Sequence, residues 1–157
     1  MTSTRRIPLH RYGEDVEYDQ LADEAPVTIL DHRGELIATM LATPEDLEEL
    51  ARGHILCEGL GVVDEVSVRG HEINVKGDIR TRGILSPATA SCGACGIAEL
   101  SEELQMVDDP PHACFDWDVI HHAMVEMQSL QLIFKLTGGC HGAALLSPEG
   151  RIVSLRE

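Results

Sequence analysis

The sequence predicts a mixed α/β (α+β) protein, and three observations carry that reading. Two pairs of apolar, alternating runs are each divided by a short glycine-containing turn, the pattern of β-hairpins. A punctuated helical stretch lies between them, and a longer one after residue 115 leads into a glycine-rich turn and a third hairpin. Two domains are expected, residues 1–109 and 112–157, joined at Asp108-Asp109-Pro110-Pro111. Consecutive prolines end helices and stiffen the backbone, which makes this the best linker in the chain.

The elements follow in order. "VTILDHRGELIATML", Val27 to Leu41, reads as a hairpin in which Gly34 takes a positive φ. "ATPEDLEELARGHILCEGLG" reads as a helix with Thr43 as N-cap, Pro44 at its first position, Glu45 and Asp46 in the first turn and Gly59 as the stop. Leu47, Leu50, Ala51, His54 and Ile55 fall on one face of it, with His54 in the core. "VVDEVSV" and "HEINVKG" flank Arg69-Gly70 as the second hairpin. "DIRTRGILSPATASCGACG" has little periodicity and reads as an extended loop, followed by the helical "IAELSEELQMV". "DWDVIHHAMVEMQSLQLIFKL" predicts one long helix burying Val119, Ile120, Ala123, Met127, Leu130 and Phe134. "TGGCHGAALLSPEGRIVSLRE" predicts a glycine-rich turn, then strands Ala143 to Leu146 and Ile152 to Leu155 around "SPEG". A chain that stops directly after a hairpin strand leaves an uncovered edge, so a further C-terminal portion is expected.

Charge narrows the function. The 157 residues carry 27 acidic side chains against 10 Arg and 2 Lys, a formal net charge of −15. That field opposes a phosphate backbone or an anionic membrane, so neither nucleic acid nor membrane is an expected partner. No apolar run approaches the roughly 20 residues that span a bilayer. The Arg pair near the N-terminus has no apolar stretch after it to make a secretory signal, and a cytoplasmic location is expected. Five cysteines, at 57, 92, 95, 114 and 140, fit reduced thiols better than a disulfide framework.

Two constellations could carry chemistry. Cys92 and Cys95 form a CxxC at the mouth of a predicted helix, where a thiol's pKa falls and its thiolate fraction rises. The pair alone is half a zinc site, a redox pair, or a carrier thiol with a neighbour that resolves it. Gly93 and Gly96 leave the sulfurs little cover, against a purely packing role. A deaminase-type zinc centre needs H-x-E or C-x-E followed by Pro-Cys-x-x-Cys, and the chain contains neither in that order. In "TGGCHGAAL", Gly138 and Gly139 allow close approach of a ligand to the backbone, and His141 is a possible acid or base; a helix C-cap leading into a strand accounts for the same residues. Cys57 and Cys114 read as packing residues.

Three stretches resemble one family, the formate dehydrogenase accessory sulfurtransferases of FdhD type, and they occur in that family's order. "DEAPVTI" with "MLATPEDLEELARGHILCEGL" resembles its N-terminal signature, "SCGACG" its reactive-cysteine loop, and "TGGCHGAALLSPEGRIVSLRE" its second glycine-rich element. The resemblance runs from about Asp23 to Glu157, where family members continue further. It implies a C-terminal region that begins a cytidine-deaminase-like domain. It also implies a sulfurtransferase that takes sulfur as a persulfide from a cysteine desulfurase and delivers it to the molybdenum cofactor, in its bis-guanine-dinucleotide (bis-MGD) form, for formate dehydrogenase. Cys92 is then the expected carrier and Cys95 the assisting thiol. Gly138, Gly139 and His141 are the expected cofactor contacts, with a guanine nucleotide as an expected mimic. Cysteine desulfurase, formate dehydrogenase and a second copy in a homodimer are the expected partners, and no metal ion of the protein's own is expected. The rival expectations are a zinc-stabilised module using Cys92, Cys95 and one of Cys140 or His141, and a formate dehydrogenase assembly partner without sulfur chemistry.

Overall fold

A computed structural model of the chain describes residues 3–9, 17–80 and 114–157. Its elements are strands β1 (Thr4–Leu9), β2 (Glu17–Ala22), β3 (Ala25–Asp31) and β4 (Leu36–Ala42), helix α1 (Leu47–Cys57), strands β5 (Gly61–Arg69) and β6 (Glu72–Ile79), helices α2 (Trp117–Leu130) and α3 (Leu132–Thr137), and strands β7 (Ala143–Leu146) and β8 (Ile152–Arg156). The chain forms two compact units, Glu24–Asp109 and Met1–Asp23 with Pro110–Glu157. The grouping differs from the expected 1–109 and 112–157: the first 23 residues join 110–157, where β1 and β2 pack on α3.

In the first unit the strands order β4-β3-β6-β5, with β3 and β6 parallel and the two outer pairs antiparallel hairpins. The alternation in β3 turns Ala25, Val27, Ile29 and Asp31 inward. Ile73 and Val75 of β6 join them, and α1 covers this face with Leu47, Ala51 and Ile55. The face is close to the one the periodicity predicts, except that Leu50 lies at its margin and His54 is only half-buried. Desolvation lowers the His54 pKa, opposed by the Glu58 carboxylate.

Both turns of this unit follow from glycine. Gly34 has φ 82° and Gly70 φ 60°. The first turn is further fixed by Asp31, whose Oδ1 accepts the Arg33 and Glu35 amides at 2.8 Å and whose Oδ2 accepts Arg33 Nε at 2.8 Å. Desolvation pushes this buried carboxyl up, but the two amides and the Arg33 guanidinium outweigh it and hold its pKa below the ordinary carboxylate value. Gly59 ends α1 as expected, with φ 60°. Leu60 N–H donates to Ile55 O and Gly59 N–H to Leu56 O, the paired bonds of a Schellman stop, and Leu60 folds into the core.

The start of α1 differs from the expectation at Thr43 and Pro44. The Thr43 carbonyl accepts the Glu45 N–H at 2.8 Å, a tight turn about Pro44 that lies ahead of the helix and not in its first turn. The regular helix begins after Asp46, which sits in the left-handed region at φ 47° and makes no side-chain cap. Aspartate is among the few residue types that tolerate this conformation.

In the second unit β1 and β2 form an antiparallel ribbon, with Arg6 over the Tyr18 ring at 4.3 Å and an exposed Arg5–Asp23 pair at 3.0 Å. The long helix predicted for 116–136 is broken. Gln131 is extended at ψ 96° and separates α2 from α3. Of the expected stripe Ala123 is buried, Val119 and Met127 are half-buried, and Ile120, Leu130 and Phe134 are exposed; Ile133, beyond the break, is buried instead. Polar side chains satisfy the new helix ends. Lys135 Nζ donates to Ser129 O at 2.9 Å, and the Glu157 carboxylate accepts Ile133 N–H at 3.0 Å and Phe134 N–H at 2.8 Å. Glu157→Ala leaves those two amides without their acceptor and is expected to lower stability by about 1 kcal/mol, as for a lost N-cap. A urea-unfolding midpoint unchanged from wild type would remove the cap from the stability account.

Candidate functional site

The glycine-rich segment Thr137–Gly142 connects α3 to β7. Gly138 is the C-cap of α3 in the left-handed region at φ 64°, and its N–H donates to Phe134 O at 2.7 Å. Thr137 Oγ1 donates to Ile133 O at 2.8 Å and accepts the Gly139 N–H at 3.2 Å. Both glycine amides are therefore used within the turn. What Gly138 and Gly139 leave for a ligand is side-chain-free surface, not a pair of donors. His141 is exposed beside them. Cys140 is half-buried, and its Sγ donates to His141 O at 3.3 Å. The structure thus brings the three expected contacts, Gly138, Gly139 and His141, into one loop, built as the C-cap and strand lead-in that the sequence also allowed.

Cys92 and Cys95 lie outside the described residues. Of the described thiols, Cys57 and Cys114 are exposed, against the expectation that they pack. Cys57 is the last residue of α1 and points away from the face that carries Ala51 and Ile55; Cys114 precedes α2 in irregular chain. Among the described residues, no three His, Cys, Asp or Glu side chains converge as for a metal ion, and no helix is long and apolar enough to cross a membrane.

Two residues of this region were silent in the sequence. Gln131 reads as one more polar helix position, yet it marks the break between helices and is buried beside Gly142. Glu157 reads as a charged strand end, and only the fold reveals that its carboxylate meets α3.

The profile of the FdhD/NarQ family matches residues 22–157. The sulfur carrier protein FdhD of Bordetella petrii is 33% identical over 161 residues, covering 92% of this chain and 57% of that protein. That of Cupriavidus necator is 34% identical over 172 residues, covering 99% of this chain and 59% of that protein. The chain therefore spans less than two thirds of the length of these relatives. The solved structure of a formate dehydrogenase accessory protein from Desulfotalea psychrophila superposes with a TM-score of 0.72 at 20% identity, over 97% of this chain and 60% of that one, which shows a shared fold. With the ordered motifs, the family match over 22–157 and these relatives, the chain belongs to the FdhD/NarQ family.

Proposed function

We propose that the chain acts as a cytoplasmic sulfur carrier in the maturation of formate dehydrogenase. The observation that carries this is the family match across residues 22–157, which includes the Cys92-Gly-Ala-Cys95 motif. In this reading the Cys92 thiolate attacks the outer sulfur of a persulfide on a cysteine desulfurase. A new S–S bond forms to Cys92, the donor's S–S bond breaks, and the donor cysteine leaves as a thiolate, with no net change in oxidation. Attack by the Cys95 thiolate on the Cys92 sulfur would then release the outer sulfur as sulfide and leave a Cys92–Cys95 disulfide, which two external thiols reduce. The molybdenum cofactor, as bis-MGD, is the substrate that receives the sulfur. Gly138 and Gly139 suit it as surface that a large ligand can approach closely, and the exposed His141 as a hydrogen-bonding side chain at its edge.

Intact-mass measurement after incubation with a cysteine desulfurase and cysteine tests the reading. The wild-type chain is expected to gain one sulfur atom that a thiol reductant removes, and Cys92→Ala to lose that gain. A gain that persists in Cys92→Ala overturns the assignment to Cys92, and no gain in wild type overturns the carrier role.

A further inference from the structure

We propose that Gln131 is a positioning residue for the Gly138–Gly142 loop: its side chain occupies the space that Gly142 leaves empty and so sets where Cys140 and His141 lie. The Gln131 backbone is held from both sides, its N–H donating to Met127 O at 3.0 Å and its carbonyl accepting the Lys135 N–H at 3.1 Å. The residue is only 7% exposed. A Cβ placed on Gly142 would overlap Gln131 Nε2 and lie 2.9 Å from both Gln131 Cδ and Met127 Cε. The end of a glutamine ordinarily swings aside from such a contact, but a buried one has no solvent to swing into. Gly142 is therefore the point where the loop rests on the α2–α3 junction. On one side Gly138 is tied to Phe134; on the other Ala143 begins the pairing with Arg156. Between these anchors the contact with Gln131 decides how far the half-buried Cys140 is sheltered while His141 stays in solvent.

The inference rests on the functional reading only for what the loop would meet, so its test uses thiol chemistry and not sulfur transfer. The full chain is alkylated with iodoacetamide under native conditions and digested, and the rate at Cys140 is read by mass spectrometry beside that at Cys57 on α1. Gly142→Ala is expected to raise the Cys140 rate about fivefold or more, the low end of what overpacking a filled site costs. Gln131→Ala alone, which leaves the loop without its support, is expected to raise the rate likewise. The double variant, in which the added methyl refills part of the vacated space, is expected to return to within about twofold of wild type by the same reckoning. The Cys57 rate, that of an exposed thiol in the other unit, serves as the reagent standard and is expected to stay constant, and the far-UV circular dichroism of each variant is expected to match wild type. No rise in either single variant, no return in the double variant, or a loss of the circular-dichroism signal that marks general unfolding would each overturn the proposal. Failure of the wild-type chain to gain sulfur, with these alkylation rates as expected, would sink the sulfur-carrier reading and leave the role of Gln131 standing.

Discussion

Ile29→Ala is expected to lower the stability of the β3-containing unit by about 2–5 kcal/mol, the cost of emptying a large aliphatic site in a packed core. Ile29 is fully buried in β3, an inner strand, between Ala38 of β4 and Ile73 of β6. Its neighbours in the core are Val27, Val75 and the Leu47, Ala51 and Ile55 face of α1. Hydrogen-bonded strands on both sides keep the backbone from closing a void. Urea unfolding followed by circular dichroism measures the loss, with Leu56→Ala as the control. Leu56 is 74% exposed at the end of α1 and its truncation is expected to cost about 0.5 kcal/mol or less. Equal losses for the two variants would mean that the core lies elsewhere.

Gly77→Ala is expected to cost about 1–3 kcal/mol although it adds a single methyl group. Gly77 stands opposite Val63, where a bulge at Asp64 brings β5 close. A Cβ there would overlap the Val62 carbonyl oxygen and lie 3.0 Å from Val62 C and 3.1 Å from Asp64 N. Those atoms belong to a paired strand, so relief requires moving backbone and breaking ladder hydrogen bonds. Gly61 has the mirror problem against the Asp78 carbonyl. A urea midpoint equal to or above wild type, at unchanged slope, would show that the strand gives way without cost.

Much of the first unit was legible because its signals are local. Gly34, Gly70 and Gly59 sit where the chain needs a positive φ, and the apolar spacing from Leu47 to Ile55 marks the face of α1 that the sheet requires. Thr43 misled because a capping residue before a proline can also close a short turn, and the choice depends on where the helix must point. The break at Gln131 was invisible for a different reason. Apolar periodicity continues through it, and the group that makes a second helix start tolerable is a carboxylate 24 positions beyond Ile133. Likewise no short-range pattern links residues 1–23 to 110–157. In the candidate site, Gly138, Gly139 and His141 could be named from residue type, whereas the packing of Gln131 under Gly142 depends on three-dimensional placement. Cys92 and Cys95 stand out as a CxxC by spacing, and the carrier role expected of them comes from the family resemblance.

The carboxylate of Glu157 has a consequence for how this part of the chain opens. First-turn amides of a helix lack an intrahelical acceptor and ordinarily exchange their hydrogens with solvent without any unfolding. Those of Ile133 and Phe134 are instead closed by the residue that follows β8. Their protection therefore lasts only as long as the end of the β7–β8 hairpin stays in place, and it vanishes when that hairpin opens, even if α3 remains wound. The stretch from Gln131 to Glu157, with the glycine loop inside it, is in this sense a ring whose two ends meet at one carboxylate, and these two amides report its opening.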